Sequence, residues 1–326
     1  MGPVTIAAGG SYSGCWTSTD STPAIRIATT DPVVITNSVV TNLSGGPLIV
    51  TNMPLAVNLT IRNVTGRGSG GGRFLDAEGS KSVTIENCDL QNTGGIKFAS
   101  VNAAGASIVV RRNRARNITP HSSGSMRQFV QLAEVTSASV EIAWNEVINE
   151  YGKSQVEDVV SIFKSNNADV HDNYFKGGYP LVNGAGYSGA GLTIEQLSSN
   201  NHVHHNQFID GQGIGIVGGH DNLMDYNTIV QDGKLDDGST YLNANLGLGV
   251  INADNEPGWA NNHAIHNTIG YINKAGSRND MWFPDAPSSD YNLNTTLPNP
   301  ITNTTEQNQW TTWLNKLAAN GVQVGV

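Results

Sequence analysis

His171, His204 and Asp225 fall at equivalent places in three successive, similar stretches of the chain, with Asp169, Asp172, His202 and His205 beside them. Two imidazoles and a carboxylate close together can hold Zn²⁺ or another transition ion, because imidazole nitrogen and carboxylate oxygen both ligate such ions. Flat β surfaces also stack like residues simply for packing, and three residues in one straight column make a poor tetrahedron. The turn Gly218-Gly219-His220-Asp221 carries ligand types too, but its glycine pair reads first as a tight turn. A second chemistry belongs to Tyr151, Tyr179, Tyr187 and Tyr241, which lie in the stretches 149–157, 176–189 and 231–247. Their ring faces can stack on sugar rings while the hydroxyls stay wet.

These groups must be carried by a β-rich scaffold. The 326 residues include 37 glycines, only 14% are charged, and no shift in composition marks a linker, so one turn-dense domain is expected. A net charge of −9 with 18 Lys and Arg spread along the chain argues against a nucleic-acid partner, which needs clustered cations. Neutral sugars, or anions bridged by a metal cation, suit the charge better. No apolar run approaches the length of a membrane span, and MGPVTIAAGG lacks the layout of a secretion signal, as expected if a signal has been removed. Cys15 and Cys88 are compatible with a disulfide or with two free thiols. Asn42, Asn58, Asn63, Asn117, Asn294 and Asn303 stand in Asn-x-Ser/Thr sequons, which an Asn/Thr-rich chain also produces by chance.

One pattern recurs nine times: an apolar residue, two residues, a small or Asn residue, one residue, then an apolar residue. Ile35-x-x-Ser38-x-Val40, Ile85-x-x-Cys88-x-Leu90, Val110-x-x-Asn113-x-Ala115 and Val203-x-x-Asn206-x-Phe208 are examples. Successive positions are 26, 24, 25, 32, 28, 33, 21 and 40 residues apart, a period near 25 with insertions in the second half. Between copies lie short alternating strands at 48–50, 96–98, 130–132, 160–162, 192–194, 214–216 and 248–250. Stacked about 4.8 Å apart, Asn113, Asn145, Asn173, Asn206, Asn227 and Asn267 can bond to one another and to the turn backbone, which makes them structural. One step beyond the first apolar residue come Arg62, Glu86 and Arg111, and one step beyond the ladder come Asp89, Arg114 and Glu146. These alternating signs mark outward columns, so Arg111, Arg112, Arg114 and Arg116 form a solvated structural face. Trp310, Trp313, Leu314 and Leu317 have helical spacing between Thr305, a plausible N-cap, and Gly321, a stop.

The period, the paired strands and the Asn column resemble the right-handed parallel β-helix of the pectate-lyase-like superfamily. The resemblance implies an all-β, single-stranded helix of about ten coils over 31–285, an N-terminal cap over 1–30, and a C-terminal tail with a short capping helix over 286–326. It also implies a groove along the strands that follow the long loops 117–127, 149–157, 176–189 and 231–247, which places Arg127 and Gln131 among the substrate contacts.

EDVVSIFKSNNADVHDNYF, from Glu157, and SGAGLTIEQ one repeat later resemble polysaccharide lyases that cleave alginate or dermatan. In that family a glutamate precedes by seven residues a lysine followed by Ser; Glu157 and Lys164-Ser165 match. The resemblance implies Lys164 as the base that removes the proton α to a uronate carboxylate, with Ca²⁺ held at Glu157 and Asp158. Val159 stands where the family has a second glutamate, and Glu195 where it has arginine. Glu157-Asp158 followed by Gly189-Ala190-Gly191 resembles, more weakly, polygalacturonase-type hydrolases, in which Glu157, Asp158 and Glu195 would form the acid and base pair, although the family's histidine is missing. The expectation is a secreted or cell-surface protein acting on a polysaccharide, a lyase by preference. The alternatives are an inverting hydrolase, a non-catalytic polysaccharide-binding β-helix, and a tailspike-type assembly protein.

Overall fold

A computed structural model describes residues 1–51, 56–119, 127–184 and 189–326. The chain is nearly all β, arranged as two long parallel sheets. Among the described residues eleven strands make the first sheet, including Ile25–Ile27, Leu75–Glu78, Ile96–Ala99, Val130–Ala133, Asp158–Phe163, Ala190–Glu195, Ile214–Ile216 and Leu248–Val250. Each pairs in parallel with the strand one repeat away, so Val130, Val160, Leu192, Ile214 and Leu248 form one inward column. All five are at most 5% exposed. The successive rungs feed a second sheet in the same order, and the arrangement is that expected of a parallel β-helix.

In the second sheet most rungs bend once, and the bend explains the Asn column. The residue just before each ladder position is left-handed: Arg112 (φ 56°), Trp144 (57°), Asp172 (53°), His205 (55°), Tyr226 (53°) and His266 (58°). Such a turn withdraws main-chain groups from the sheet, and a buried N–H without an acceptor is costly. The next Asn supplies the acceptor. Asn145 Oδ1 takes the N–H of Asn113 at 3.0 Å, and Asn173 Oδ1 takes that of Asn145 at 2.9 Å. Each Nδ2 donates onward to the following Asn and back to a carbonyl of the preceding rung, as Asn173 does to Asn206 and Ile142 at 2.8 Å.

The structure adds two things to the ladder. It continues to Asn294, whose Oδ1 accepts from the N–H of Asn267 at 2.8 Å while its Nδ2 serves Ala264 and Asp290, so this sequon is occupied by structural bonds. A second ladder of Asn201, Asn222 and Asn262 stands five residues before the first, again after left-handed Asn200, Asp221 and Asn261. Cys88 takes the place of Asn in its rung, buried and free, and burial pushes its thiol up to about 12; Cys15 is free and exposed.

The charged columns pair as expected. Glu86 meets Arg111 at 2.6 Å and Arg62 at 3.6 Å, and Glu146 meets Arg114 at 3.3 Å and also Arg116.

Val4–Ile6, Gly10–Tyr12 and Cys15–Ser18 pair with the strands of the next rung, so the first thirty residues belong to the same two sheets. At the other end, Thr295–Thr296 adds one more strand, and the helix Asn303–Asn320 then runs along the flank of the second sheet. Its N-cap is Thr302 rather than Thr305, with the Thr302 N–H donating to Thr305 Oγ1 at 3.1 Å; Gly321 ends it at φ 62°. Trp313 is fully buried against Trp144 and Tyr174, whereas Leu314 faces solvent. The tail reaches back to early rungs, where Gly325 N–H donates to the Arg112 carbonyl at 2.8 Å. This segment therefore clasps many rungs from the side.

Candidate functional site

Asp76, Lys97, Gln131, Ser161 and Thr193 stand in register on five successive strands of the first sheet, alternating with the buried columns and so facing outward. Arg73 lies over this strip. Although only 8% exposed, it has no carboxylate within salt-bridge distance among the described residues; its Nη2 donates to Gln131 Oε1 at 2.9 Å, and the guanidinium lies 3.5 Å from the Gly94 carbonyl and Gln128 Oε1. Burial and the neighbouring charge of Arg127 push its pKa down to about 10, against the opposing pull of the Asp76 and Glu157 carboxylates. Arg127 crosses the rungs to donate from Nε to the Gly71 carbonyl at 2.7 Å. Gly94 makes that crossing possible, since a Cβ there would sit 2.9 Å from Arg127 Cδ and Nε. Burial likewise holds Arg127 below the usual arginine range.

The four residues expected to be catalytic bracket the next part of this sheet. Glu157 precedes the strand Asp158–Phe163, and its carboxylate accepts from Gln128 Nε2. Asp158 is 2% exposed. Lys164 follows the strand in left-handed conformation (φ 49°), with Nζ 5.0 Å from the Phe163 ring centre. Glu195 pairs in register with Phe163, and its carbonyl accepts the Lys164 N–H at 3.3 Å. Lys164 and Glu195 thus lie at the C-terminal ends of two neighbouring strands, and Glu157 at the N-terminal end of the first of them. Burial lifts the Glu195 carboxyl to about 7, with the negative charges of Glu157 and Asp254 adding to it.

Ca²⁺ takes roughly six to eight oxygen ligands. Among the described residues the oxygen set at Glu157 and Asp158 falls short: Val159 supplies no side-chain oxygen, Asp158 is enclosed, and Gln128 already engages Glu157. The expected tyrosine platforms are also altered. Tyr179 and Tyr241 are fully buried and pack edge-on to each other at 5.9 Å, Tyr241 donating to the Gly178 carbonyl at 2.8 Å. Tyr151 packs against Tyr179 at 6.1 Å. The loops fold over one side of the rungs and consume these rings as core. Tyr187 lies outside the described residues. Gly218-Gly219 is a close approach of backbone, where a Cβ on Gly219 would meet the Ser198 carbonyl at 1.6 Å, and the His220 ring contacts its neighbour Asp221 at 2.7 Å.

On the second sheet His171, His204 and Asp225 do share a column. Their polar atoms nevertheless diverge: His171 turns to Asp172 at 2.8 Å, His204 to Asp169 at 2.9 Å, and Asp225 to His202 at 2.8 Å. Arg73, Asp76, Lys97 and Gln128 were not anticipated. Their only sequence signal is position, two residues before or one residue after the start of a first-sheet strand. No family model, curated protein or solved structure matches this chain.

Proposed function

We propose that the chain is a right-handed parallel β-helix of the pectate-lyase-like kind, with about ten coils, that binds an acidic extracellular polysaccharide across the outer face of the first sheet and cleaves it. Arg73 carries this reading. Among the described residues this nearly buried guanidinium bonds to amide and carbonyl oxygens and makes no ion pair; Asp76 and Glu157 act on it only from a distance, and a protein tolerates such a charge where a ligand supplies the anion. Arg127 and Lys97 extend the cationic surface over adjacent rungs, and Gln131 holds Arg73 in place. A uronate carboxylate seated there supplies binding energy that positions the chain at the far end of the strip.

At that far end the resemblance to uronate lyases and the local environment meet. Lys164 takes the proton α to a carboxylate, and Glu195, with a pKa of about 7, donates to the departing glycosidic oxygen. The assay is ultraviolet absorbance of unsaturated products from a panel of polyuronates. Lys164→Ala is expected to lose at least 100-fold in kcat and Glu195→Gln a similar amount; inertness of the native protein on every polyuronate overturns the lyase. A hydrolase is the second reading, because the charge of Glu157 acts on Glu195 as in a paired-carboxyl site. It predicts new reducing ends without ultraviolet absorbance.

A further inference from the structure

The chain has eight histidines, and six of them (His171, His202, His204, His205, His263 and His266) fall in three outward columns on three of four successive rungs of the second sheet. This face is separate from the polar strip of the first sheet. Within it, one atom each from Asp169, His202 and His204 lie within 4.8 Å of one another. Asp169 and His202 are register partners on neighbouring strands, and His204 is two residues along from His202, so both imidazoles project from one strand beside the carboxylate. The two rings stack with centres 4.1 Å apart.

The surroundings prepare both rings as ligands. His202 Nε2 contacts Asp225 Oδ1 at 2.8 Å. A carboxylate there fixes the proton on Nε2 and leaves Nδ1 with its lone pair, the arrangement by which second-layer carboxylates orient metal-bound histidines. His204 Nδ1 contacts His205 Nδ1 at 2.8 Å, while Nε2 faces Asp169 Oδ1 at 2.9 Å. In the metal-free chain Nε2–H donates to Asp169 Oδ1, and a cation seated between the two would replace that proton. Two imidazoles, one backed by Asp225 and the other by His205, and the exposed Asp169 carboxylate form a mixed nitrogen and oxygen set.

We propose that Asp169, His202 and His204 form a binding site for a transition dication of the Zn²⁺ class, completed by water. Imidazole with carboxylate suits Zn²⁺, Cu²⁺ and Ni²⁺ and disfavours Ca²⁺ and Mg²⁺. The column of His171, His204 and Asp225 is not the ligand set: Asp225 supports His202 from behind, and His171 pairs with Asp172.

The test is calorimetric titration of the tag-free chain with zinc chloride, with magnesium chloride in parallel, alongside thermal melts with and without zinc. One zinc per chain, no magnesium heat and a zinc-dependent rise in Tm are expected. Asp169→Asn and His204→Gln should each weaken zinc binding at least tenfold and abolish the Tm rise. Asp225→Asn should weaken it about 10-fold through the support it gives His202, while His220→Gln leaves it unchanged. Circular dichroism of the variants separates lost binding from lost fold. Absence of stoichiometric zinc binding in the native chain overturns the site, as does affinity undiminished in correctly folded Asp169→Asn and His204→Gln, which would mark adventitious surface binding. Neither result bears on polyuronate cleavage, which involves the other sheet.

Discussion

Replacing Asn173 with Ala removes one rung of the first ladder and tests how the bends are held. The side chain is fully buried. Its Oδ1 accepts from the N–H and from Nδ2 of Asn145, both at 2.9 Å, and its Nδ2 donates to Ile142, His171 and Asn206 at 2.8 to 2.9 Å. Truncation strands two donors of Asn145 in a space closed to water. A buried unsatisfied group costs about 1–3 kcal/mol, so the loss should total about 3–5 kcal/mol once the donors that served the carbonyls are included. Asn173→Asp keeps the shape but sets a carboxylate against the Ile142 carbonyl and Asn206 Oδ1, and it should be worse at neutral pH than in acid. Asn308→Ala, on an exposed turn of the C-terminal helix, should change stability by less than about 0.5 kcal/mol. Stacked repeats can open locally, so native-state hydrogen exchange at the Asn145 amide is the assay of choice, with urea unfolding beside it. A loss below about 1 kcal/mol at that amide would refute the view that the ladder satisfies an otherwise orphaned turn.

Glu306 sits against Asp210, which is ion-paired to Lys176 at 3.1 Å, and both carboxyls are buried. Burial and the Asp210 charge raise the Glu306 carboxyl far above its ordinary value. A raised folded-state pKa means stability present below the unfolded value and lost as pH rises. The C-terminal helix should therefore lose stability progressively as pH rises from about 4.5 toward about 11, and Glu306→Gln should flatten that dependence; parallel Tm curves for the two proteins would contradict it. With a neutral thiol reagent, Cys15 should label at once and Cys88 only on unfolding, because burial holds the Cys88 thiol at about 12. Fast labelling of both in native buffer would be inconsistent with the packing described.

The ladder was legible in the sequence because one residue type serves one fixed turn in every rung. Asn-x4-Asn also recurs, at Asn201/Asn206, Asn222/Asn227 and Asn262/Asn267, and it marks the second ladder. It is easily missed in an Asn-rich chain. Asn294 escaped because Tyr291 precedes it where other rungs have an aliphatic residue. The left-handed positions are illegible at Trp144 and Tyr226, residue types that avoid that conformation and are held there by the ladder bonds of the next residue. Tyr179 and Tyr241 read as loop residues, and only three-dimensional packing shows that the loops turn them inward. The polar strip is harder still, since Asp76, Lys97, Gln131, Ser161 and Thr193 share a column but no chemical type. Parallel stacking fixes which residues become neighbours, and insertions of variable length hide that register from the sequence.

The central claim is that Arg73 holds a positive charge for an acidic sugar. Titration calorimetry of the native chain and of Arg73→Gln against a short polyuronate oligosaccharide, with a neutral oligosaccharide of equal length beside it, tests this most directly. Binding of the polyuronate alone, weakened at least tenfold in Arg73→Gln with circular dichroism unchanged, is the predicted result. Equal affinity for the neutral sugar, or a variant that binds as tightly as the native chain, would contradict the account.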